Sequence, residues 1–327
     1  MRAHAPEICH RKRIGSPRLT APLFQSSGDL IADRRFAIAQ DLLARDDLAG
    51  AADLLVQAIE AAPRFVSALF ALGEVREKLG SRDEAIAAFQ QVCALDAEDR
   101  LGAGLHLVRL GALPPGDMPA AYVRTLFDQY AVRFDTALTE GLGYRGPAVL
   151  REAIAAACVA AGRPLRFAAA LDLGCGTGLA GAILRPLVGR LTGVDLSERM
   201  IALAREKKIY DRLETGDLAA FLHAEAREQR RYALIVAADV FAYLSWLPPA
   251  MTAAANVLAP GGLLAFTVET HPGDDVILGE KLRYAHGAAH VRAAVAGAGL
   301  TMVTLTEAST RSESGAPVPG LVAVARS

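Results

Sequence analysis

An excess of charge of either sign is missing from this chain. Its 35 Lys and Arg residues face 36 Asp and Glu, leaving a net charge of −1. No global field therefore draws it to nucleic acid or to an acidic membrane surface. Long apolar runs are missing too: none approaches the roughly 20 residues that span a bilayer, and the first residues lack the hydrophobic segment of a secretory signal. Cysteine is scarce. Cys9, Cys93, Cys158 and Cys175 are far apart and form no paired metal-ligand spacing, which fits a reducing compartment and provides no zinc site. The expectation is a cytoplasmic protein with no metal, no nucleic-acid partner and no membrane span. Core material, by contrast, is ample: 327 residues at 52% hydrophobic content suit two globular domains.

Residues 1–30 are basic and show no periodicity, and read as a disordered tail containing the cluster Arg11-Lys-Arg13. From 31 to 111 the pattern is helical and repeats. A shift of 34 residues aligns Ala39 with Gly73, Ala51 with Ala85, Leu55 with Phe89, and Ala58 with Val92. These are the small and large positions at which antiparallel helices pack. The period and rhythm resemble tetratricopeptide repeats, although Arg35 and Leu69 stand where an aromatic is common and the third copy is short. That resemblance implies a possible protein partner, or a stabilising role; the alternative is a helical hairpin array without a peptide groove. Residues 112–120, with Pro114, Pro115, Gly116 and Pro119, read as a linker.

Beyond the linker, in 121–327, apolar strands alternate with amphipathic helices, the signature of a parallel sheet covered on both faces. Strands are expected at 167–173, 190–195, 210–214, 232–238, 262–269, 301–308 and 318–325. Only 309–317 separates the last two, too short for a helical crossover, so they must pair antiparallel.

The first strand runs into Leu171-Asp-Leu-Gly-Cys-Gly-Thr-Gly-Leu-Ala-Gly181. Gly174, Gly176 and Gly178 make a turn in which no side chain keeps a ligand from the backbone. Asp172 is a buried acid that needs a partner, and a cationic ligand group is one candidate. Two adenosine cofactors fit these letters. Gly176-Thr-Gly-Leu-Ala-Gly181 is a dinucleotide-type Gly-x-Gly-x-x-Gly, whereas Asp-x-Gly-x-Gly-x-Gly resembles motif I of the class I S-adenosylmethionine-dependent methyltransferases. Asp195, ending the next strand, suits the ribose hydroxyls of either.

The final hairpin and further segments favour the methyltransferase resemblance. Leu213-Glu-Thr-Gly-Asp217-Leu218 resembles the segment that holds adenine, Arg231-Tyr-Ala-Leu-Ile-Val-Ala-Ala-Asp239 resembles motif IV beside the transferring methyl, and Leu258-Ala-Pro-Gly-Gly262 resembles the turn into the fifth strand. Phe127-Asp-Gln-Tyr-Ala-Val-Arg-Phe-Asp135, within 121–165, resembles the N-terminal lid of small-molecule methyltransferases. The chain from about 32 to 327 is similar to bacterial methyltransferases carrying N-terminal tetratricopeptide repeats. The implied fold is a Rossmann-like, seven-stranded α/β methyltransferase sheet with a C-terminal antiparallel hairpin, preceded by an all-α helical domain.

The resemblance implies S-adenosylmethionine as cofactor, with Tyr130 closing over it and Arg133 as a carboxylate partner. Asp172, Gly174, Gly176 and Gly178 would hold the methionine end, Asp195, Leu196 and Met200 the ribose and adenine, and Asp217, Leu218 and Asp239 the rest of the crevice. Met200 is equally readable as helix core and Tyr130 as core face. Glu269, ending the fifth strand, and His286 are the candidate proton acceptors. His286 and His290 are an i, i+4 pair without a third metal ligand. The expected acceptor is a small molecule; a protein substrate docked by the repeats, or a catalytically silent scaffold, are the alternatives.

Overall fold

In the computed structural model, residues 26–136, Leu138 and residues 141–327 are described. Most of the expected basic tail, with Arg11, Arg13 and Cys9, lies outside them.

Five helices lead: α1 (Leu30–Ala44), α2 (Leu48–Ala61), α3 (Val66–Lys78), α4 (Arg82–Leu95) and α5 (Ala103–Arg109). Each packs on the next. Asp29 caps α1 by accepting from the N–H groups of Ile31 and Ala32 at 2.8 Å, an N-terminal arrangement typically worth about 1 kcal/mol. The positions equivalent across the 34-residue shift are all buried. At one of them Gly73 faces the Phe89 ring, where a Cβ would come within 2.7 Å. The small member of each pair thus lets two helices approach.

The segment after α5 is no free linker. Gly116 accepts a hydrogen bond from the Tyr284 hydroxyl, Asp117 accepts one from Ser245 at 2.6 Å, and Met118 is buried against Leu105 and Tyr284. Helix α6 (Ala120–Tyr130), a 3₁₀ turn (Ala131–Arg133) and the short α7 (Phe134–Thr136) follow, then α8 (Gly146–Ala160).

The sheet comprises β1 (Phe167–Leu173), β2 (Val188–Asp195), β3 (Arg212–Thr215), β4 (Tyr232–Ala237), β5 (Leu258–Glu269), β6 (Val276–Leu278), β7 (Tyr284–His286), β8 (Thr301–Glu307) and β11 (Gly320–Arg326); β9 (Ser312–Glu313) and β10 (Ala316–Pro317) form a separate two-stranded ribbon. Its main path is β3-β2-β1-β4-β5-β11-β8. The first five are parallel neighbours, while β11 runs antiparallel to both β5 and β8. The expected seven strands and closing hairpin are present. Four short strands were not expected: β9 and β10 of the ribbon, and β6 and β7, of which β7 pairs with β6 and touches β5 at Glu269↔Ala285. That hairpin stands over the C-terminal end of β5.

Helices α9 (Leu179–Leu184), α10 (Glu198–Glu206), α11 (Leu218–Arg227), α12 (Pro248–Ala255) and α13 (Ala288–Gly297) cover the sheet together with α8. One core lies on each face: Leu171, Leu173, Ile235 and Phe266 face α11, α12 and α13, whereas Ala170, Leu191, Leu234 and Val236 face α8 and α9. The near-continuous apolar strands thus bury both faces, as parallel strands do. No helix among the described residues is long and apolar enough to cross a membrane.

Candidate active site

Where β1 stops, the backbone turns through three left-handed glycines, with φ of 61° at Gly174, 53° at Gly176 and 94° at Gly178. At Gly174 two constraints coincide. Its φ disfavours any L side chain, and a Cβ there would lie 2.5 Å from Val240 Cγ2. The turn is pinned to β2 because the Gly176 N–H donates to Asp195 Oδ2 at 2.8 Å. Asp195 Oδ1 accepts from the Ser197 N–H at 2.9 Å. Burial raises the Asp195 pKa, against the hydrogen bonds that lower it.

Asp172 is fully buried and accepts from the Tyr210 hydroxyl at 2.6 Å. Its other oxygen has no hydrogen-bond partner among the described residues. Burial pushes its pKa up to about 7, with Tyr210 pulling down and Asp195 pushing further up. Tyr210 is a residue that sequence reasoning missed. Its ring fills the space beside two other glycines: a Cβ on Gly181 would lie 2.2 Å from the Tyr210 hydroxyl, and one on Gly193 2.8 Å from its ring. The last glycine of the dinucleotide-type pattern therefore serves Tyr210 and, through it, Asp172.

The lid segment lies against this turn. Phe134 stands over Gly176, with ring atoms 3.6 Å from where a Cβ would be. Asp135 accepts from Thr177 and from Lys207, the latter at 2.7 Å, and Asp128 accepts from Ser197 at 2.5 Å. Within the lid segment, the aromatic against the glycine turn is thus Phe134. Tyr130 is one ring further out, 6.1 Å from Phe134 between centroids, and Arg133 is exposed.

The remaining expected cofactor positions divide. Leu196 is half-buried just beyond β2, and Leu218 is half-buried at the start of α11. Asp217 is exposed and caps α11 by accepting from the Ala220 N–H at 2.9 Å. Met200 is 0% exposed, so the core alternative fits it and no surface is left for a ring to stack on.

The far side of the crevice is built from charges. Asp239, itself at a left-handed φ of 56°, accepts from the Thr267 hydroxyl at 2.8 Å, the Thr310 hydroxyl at 2.8 Å and Arg311 at 3.2 Å. Arg311 also reaches Glu269, and Glu313 at 2.9 Å. Arg283 bridges Glu269 and Glu313, the second at 2.6 Å, and Lys281 pairs with Glu313. Burial opposes the charge of Arg311, but Asp239, Glu269 and Glu313 hold its pKa above the ordinary value. Burial likewise opposes ionisation of Glu313, yet bonds from Lys281 and Arg311 and the charge of Arg283 bring it to about 2. Tyr144 and Tyr243 border the cluster. Burial raises both phenols, Asp239 adding to the rise at Tyr144 while Arg283 and Arg311 moderate it at Tyr243. A cavity of about 310 Å³ opens here, lined among others by Glu269, Glu280, Lys281, Arg283 and Glu313. A hollow of about 660 Å³ on the solvent face of α11, beside His223 and Arg227, is larger but lies away from the strand ends and gathers no opposing groups.

The structure treats the two expected proton acceptors differently. Glu269 does end β5 in the site, where its Oε1 accepts from Arg283 and Arg311. His286 is 0% exposed. One ring nitrogen lies 3.1 Å from the Phe241 carbonyl and the other has no partner among the described residues. Burial drives its pKa down to about 4, the Phe241 bond opposing. It is a core histidine stacked on His290 at 5.6 Å.

With this geometry in place, residues 171–264 match the family model described as a methyltransferase domain. No curated protein matches the sequence. Similar solved structures include the N-methyltransferase NodS from Bradyrhizobium japonicum in complex with S-adenosyl-L-homocysteine, 25% identical over 54% of this chain and 84% of that one, TM-score 0.42. Magnesium protoporphyrin IX methyltransferase from Synechocystis with bound S-adenosylhomocysteine is 18% identical over 63% and 98%, TM-score 0.47. An S-adenosylmethionine-dependent methyltransferase from Clostridium acetobutylicum is 17% identical over 61% and 98%, TM-score 0.45. The fold of this chain is a Rossmann-like methyltransferase sheet with an N-terminal helical region.

Proposed function

We propose that this protein is an S-adenosylmethionine-dependent methyltransferase acting on a small-molecule acceptor. The observation that carries it is the row of acids ending four neighbouring parallel strands, Asp172, Asp195, Asp217 and Asp239, around a turn of left-handed glycines. Ligands of open α/β sheets bind at such strand ends.

The residues present fit the cofactor. The unpartnered oxygen of buried Asp172 lacks a donor that an ammonium group would provide, and ionising the acid would then cost less. Each Asp195 oxygen accepts an N–H bond and keeps a lone pair for a ribose hydroxyl. Gly176 lies beneath the Phe134 ring and has no side chain of its own to keep a ligand from the backbone once that lid moves aside. In this reading Asp217 and Leu218 border the adenine, and the Tyr130–Phe134 segment, with Arg133, forms the lid.

The bound cofactor supplies an electrophilic methyl on a sulfonium. The protein's part is to hold an acceptor atom in line with the methyl–sulfur bond. Asp239, fixed by Thr267, Thr310 and Arg311, and Glu269, fixed by two guanidiniums, provide rigid acceptors for that purpose. A resident base is needed only where the acceptor arrives protonated. The charged cavity suits a polar acceptor of small size, since a lipid chain would have to desolvate several ion pairs.

The domain division is part of the proposal: tetratricopeptide-like repeats over 31–111 and a transferase over 121–327, in a cytoplasmic protein. The buried equivalents across 34 residues support the repeats. Titration calorimetry with S-adenosylmethionine, S-adenosylhomocysteine and NAD tests the cofactor. Binding of both sulfur compounds and not NAD is expected; tight NAD binding with no response to either sulfur compound overturns the proposal.

A further inference from the structure

The helical array meets the acceptor side of the crevice at the β6–β7 hairpin. Residues 279–283 join β6 to β7 and supply Glu280, Lys281 and Arg283 to the cavity wall. The loop is tight: the Gly279 N–H donates to the Arg283 carbonyl at 2.8 Å and the Leu282 N–H to the Gly279 carbonyl at 3.0 Å. Leu282 is held at φ 54°, a conformation a branched L residue adopts only when its surroundings impose it. On the crevice side, Lys281 and Arg283 are tied to Glu313 and Glu269. Helix α5 provides the other side. Arg109 donates to the Glu280 carbonyl, Leu282 packs on Leu105, Met118 and Tyr284, and the Tyr284 hydroxyl donates to Gly116.

Arg109 is itself aimed from within the array. Glu77, at the end of α3, accepts from it at 2.6 Å and from His106 Nδ1 at 2.9 Å. His106 is wedged against Phe89 and Phe70, with centroids 4.4 and 5.3 Å away. A continuous series of polar contacts thus runs from the array interior through Glu77, Arg109 and the 279–283 loop to Glu313, Arg311 and Asp239.

We propose that the array is a built-in brace behind the wall of the acceptor site, and that Arg109 is a positioning residue that fixes the loop carrying Lys281 and Arg283. The face of α5 that carries Leu105 and Arg109 is taken by the protein's own β6–β7 hairpin. The consequence for the acceptor rests on reading the crevice as the methyl-transfer site; the Arg109 clasp does not.

Lys281 and Arg283 are themselves trypsin sites, and a protease needs the flanking chain to open before it can cut. Limited trypsinolysis of the full chain, with fragments identified by mass, reads the loop directly. Arg109→Ala is expected to speed cleavage after Lys281 and Arg283 at least tenfold, while cleavage after Lys207 and Lys208 stays within twofold. S-adenosylhomocysteine affinity should also stay within twofold of wild type. Arg109→Lys, which keeps a cationic donor, should restore part of the protection. If Arg109→Ala does not fold, Tyr284→Phe removes the bond to Gly116 while keeping the ring, and a smaller rise confined to the same two sites is expected. Unchanged cleavage at 281 and 283, or an equal rise at every site, would overturn the proposal. Wild-type protein that fails to bind S-adenosylhomocysteine would remove the cofactor reading and leave the clasp comparison intact.

Discussion

The two sides of the crevice are made from different materials. On the β1–β2 side, glycines and backbone N–H groups do most of the shaping, and Asp195 accepts from the backbone of Gly176 and Ser197. On the β4–β5 side, side chains do it, with Asp239, Glu269, Arg283, Arg311 and Glu313 knitting together four separate segments. A backbone-built half suits a ligand that is always the same. A half built from ion pairs is re-specified by changing side chains and loops. Under the proposed function, the division puts acceptor specificity in the β6–β7 loop and the 310–319 connection rather than in the glycine turn.

Breaking the side-chain half should have the largest effect. Arg311 is 7% exposed and meets three carboxylates. Arg311→Met should destabilise the protein by about 3 kcal/mol, because it leaves buried carboxylates uncompensated; urea denaturation reads this, and a loss below about 0.5 kcal/mol would mean that the cluster is decorative.

A second effect, nearly as large, depends on pH. The folded-state pKa of His286 lies at about 4, below the ordinary 6.5. As pH falls from 6.5 to about 4 the unfolded chain takes up the proton first, so the stability contribution present above pH 6.5 is lost across that window. The full difference corresponds to roughly 3 kcal/mol. Chemical denaturation at pH 7 and pH 4.5 should give a steeper loss for wild type than for His286→Gln, and equal slopes would contradict the buried, neutral histidine.

Asp172 sharpens the contrast. As its folded pKa is raised to about 7, the unfolded chain releases the proton first and stability falls as pH rises from 3.8 to about 7. Asp172→Asn should therefore stabilise the ligand-free protein at pH 8 by about 1–2 kcal/mol, while weakening S-adenosylhomocysteine binding. Thermal melts with and without ligand read both signs, and a destabilised Asn variant would contradict the cost assigned to burial.

The same division governs what the sequence reveals. The β1–Gly–β2–Asp195 segment is local: its partners lie 19 residues apart, and its apolar runs and glycines are visible in the letters. The closing hairpin is readable because nine residues between two strands cannot hold a crossover. The ion-pair half is not local. Arg311 meets Asp239 across 72 residues and Glu269 across 42, and nothing in either segment names the other. The β6–β7 hairpin escapes for a related reason, since three-residue strands have too few positions to show alternation. Tyr210 escapes because its purpose emerges only when Gly181, Gly193 and Asp172 converge on its ring. His286 misled because a histidine in a motif-like string reads as chemistry, whereas the fold puts it inside.

The most direct test of the two-sided crevice is the S-adenosylhomocysteine dissociation constant of Asp195→Ala measured beside that of Glu269→Gln. The expected result is a loss of at least tenfold for Asp195→Ala, about 1.4 kcal/mol, with Glu269→Gln within twofold of wild type. An unchanged constant for Asp195→Ala, or an equal loss in Glu269→Gln, would contradict it.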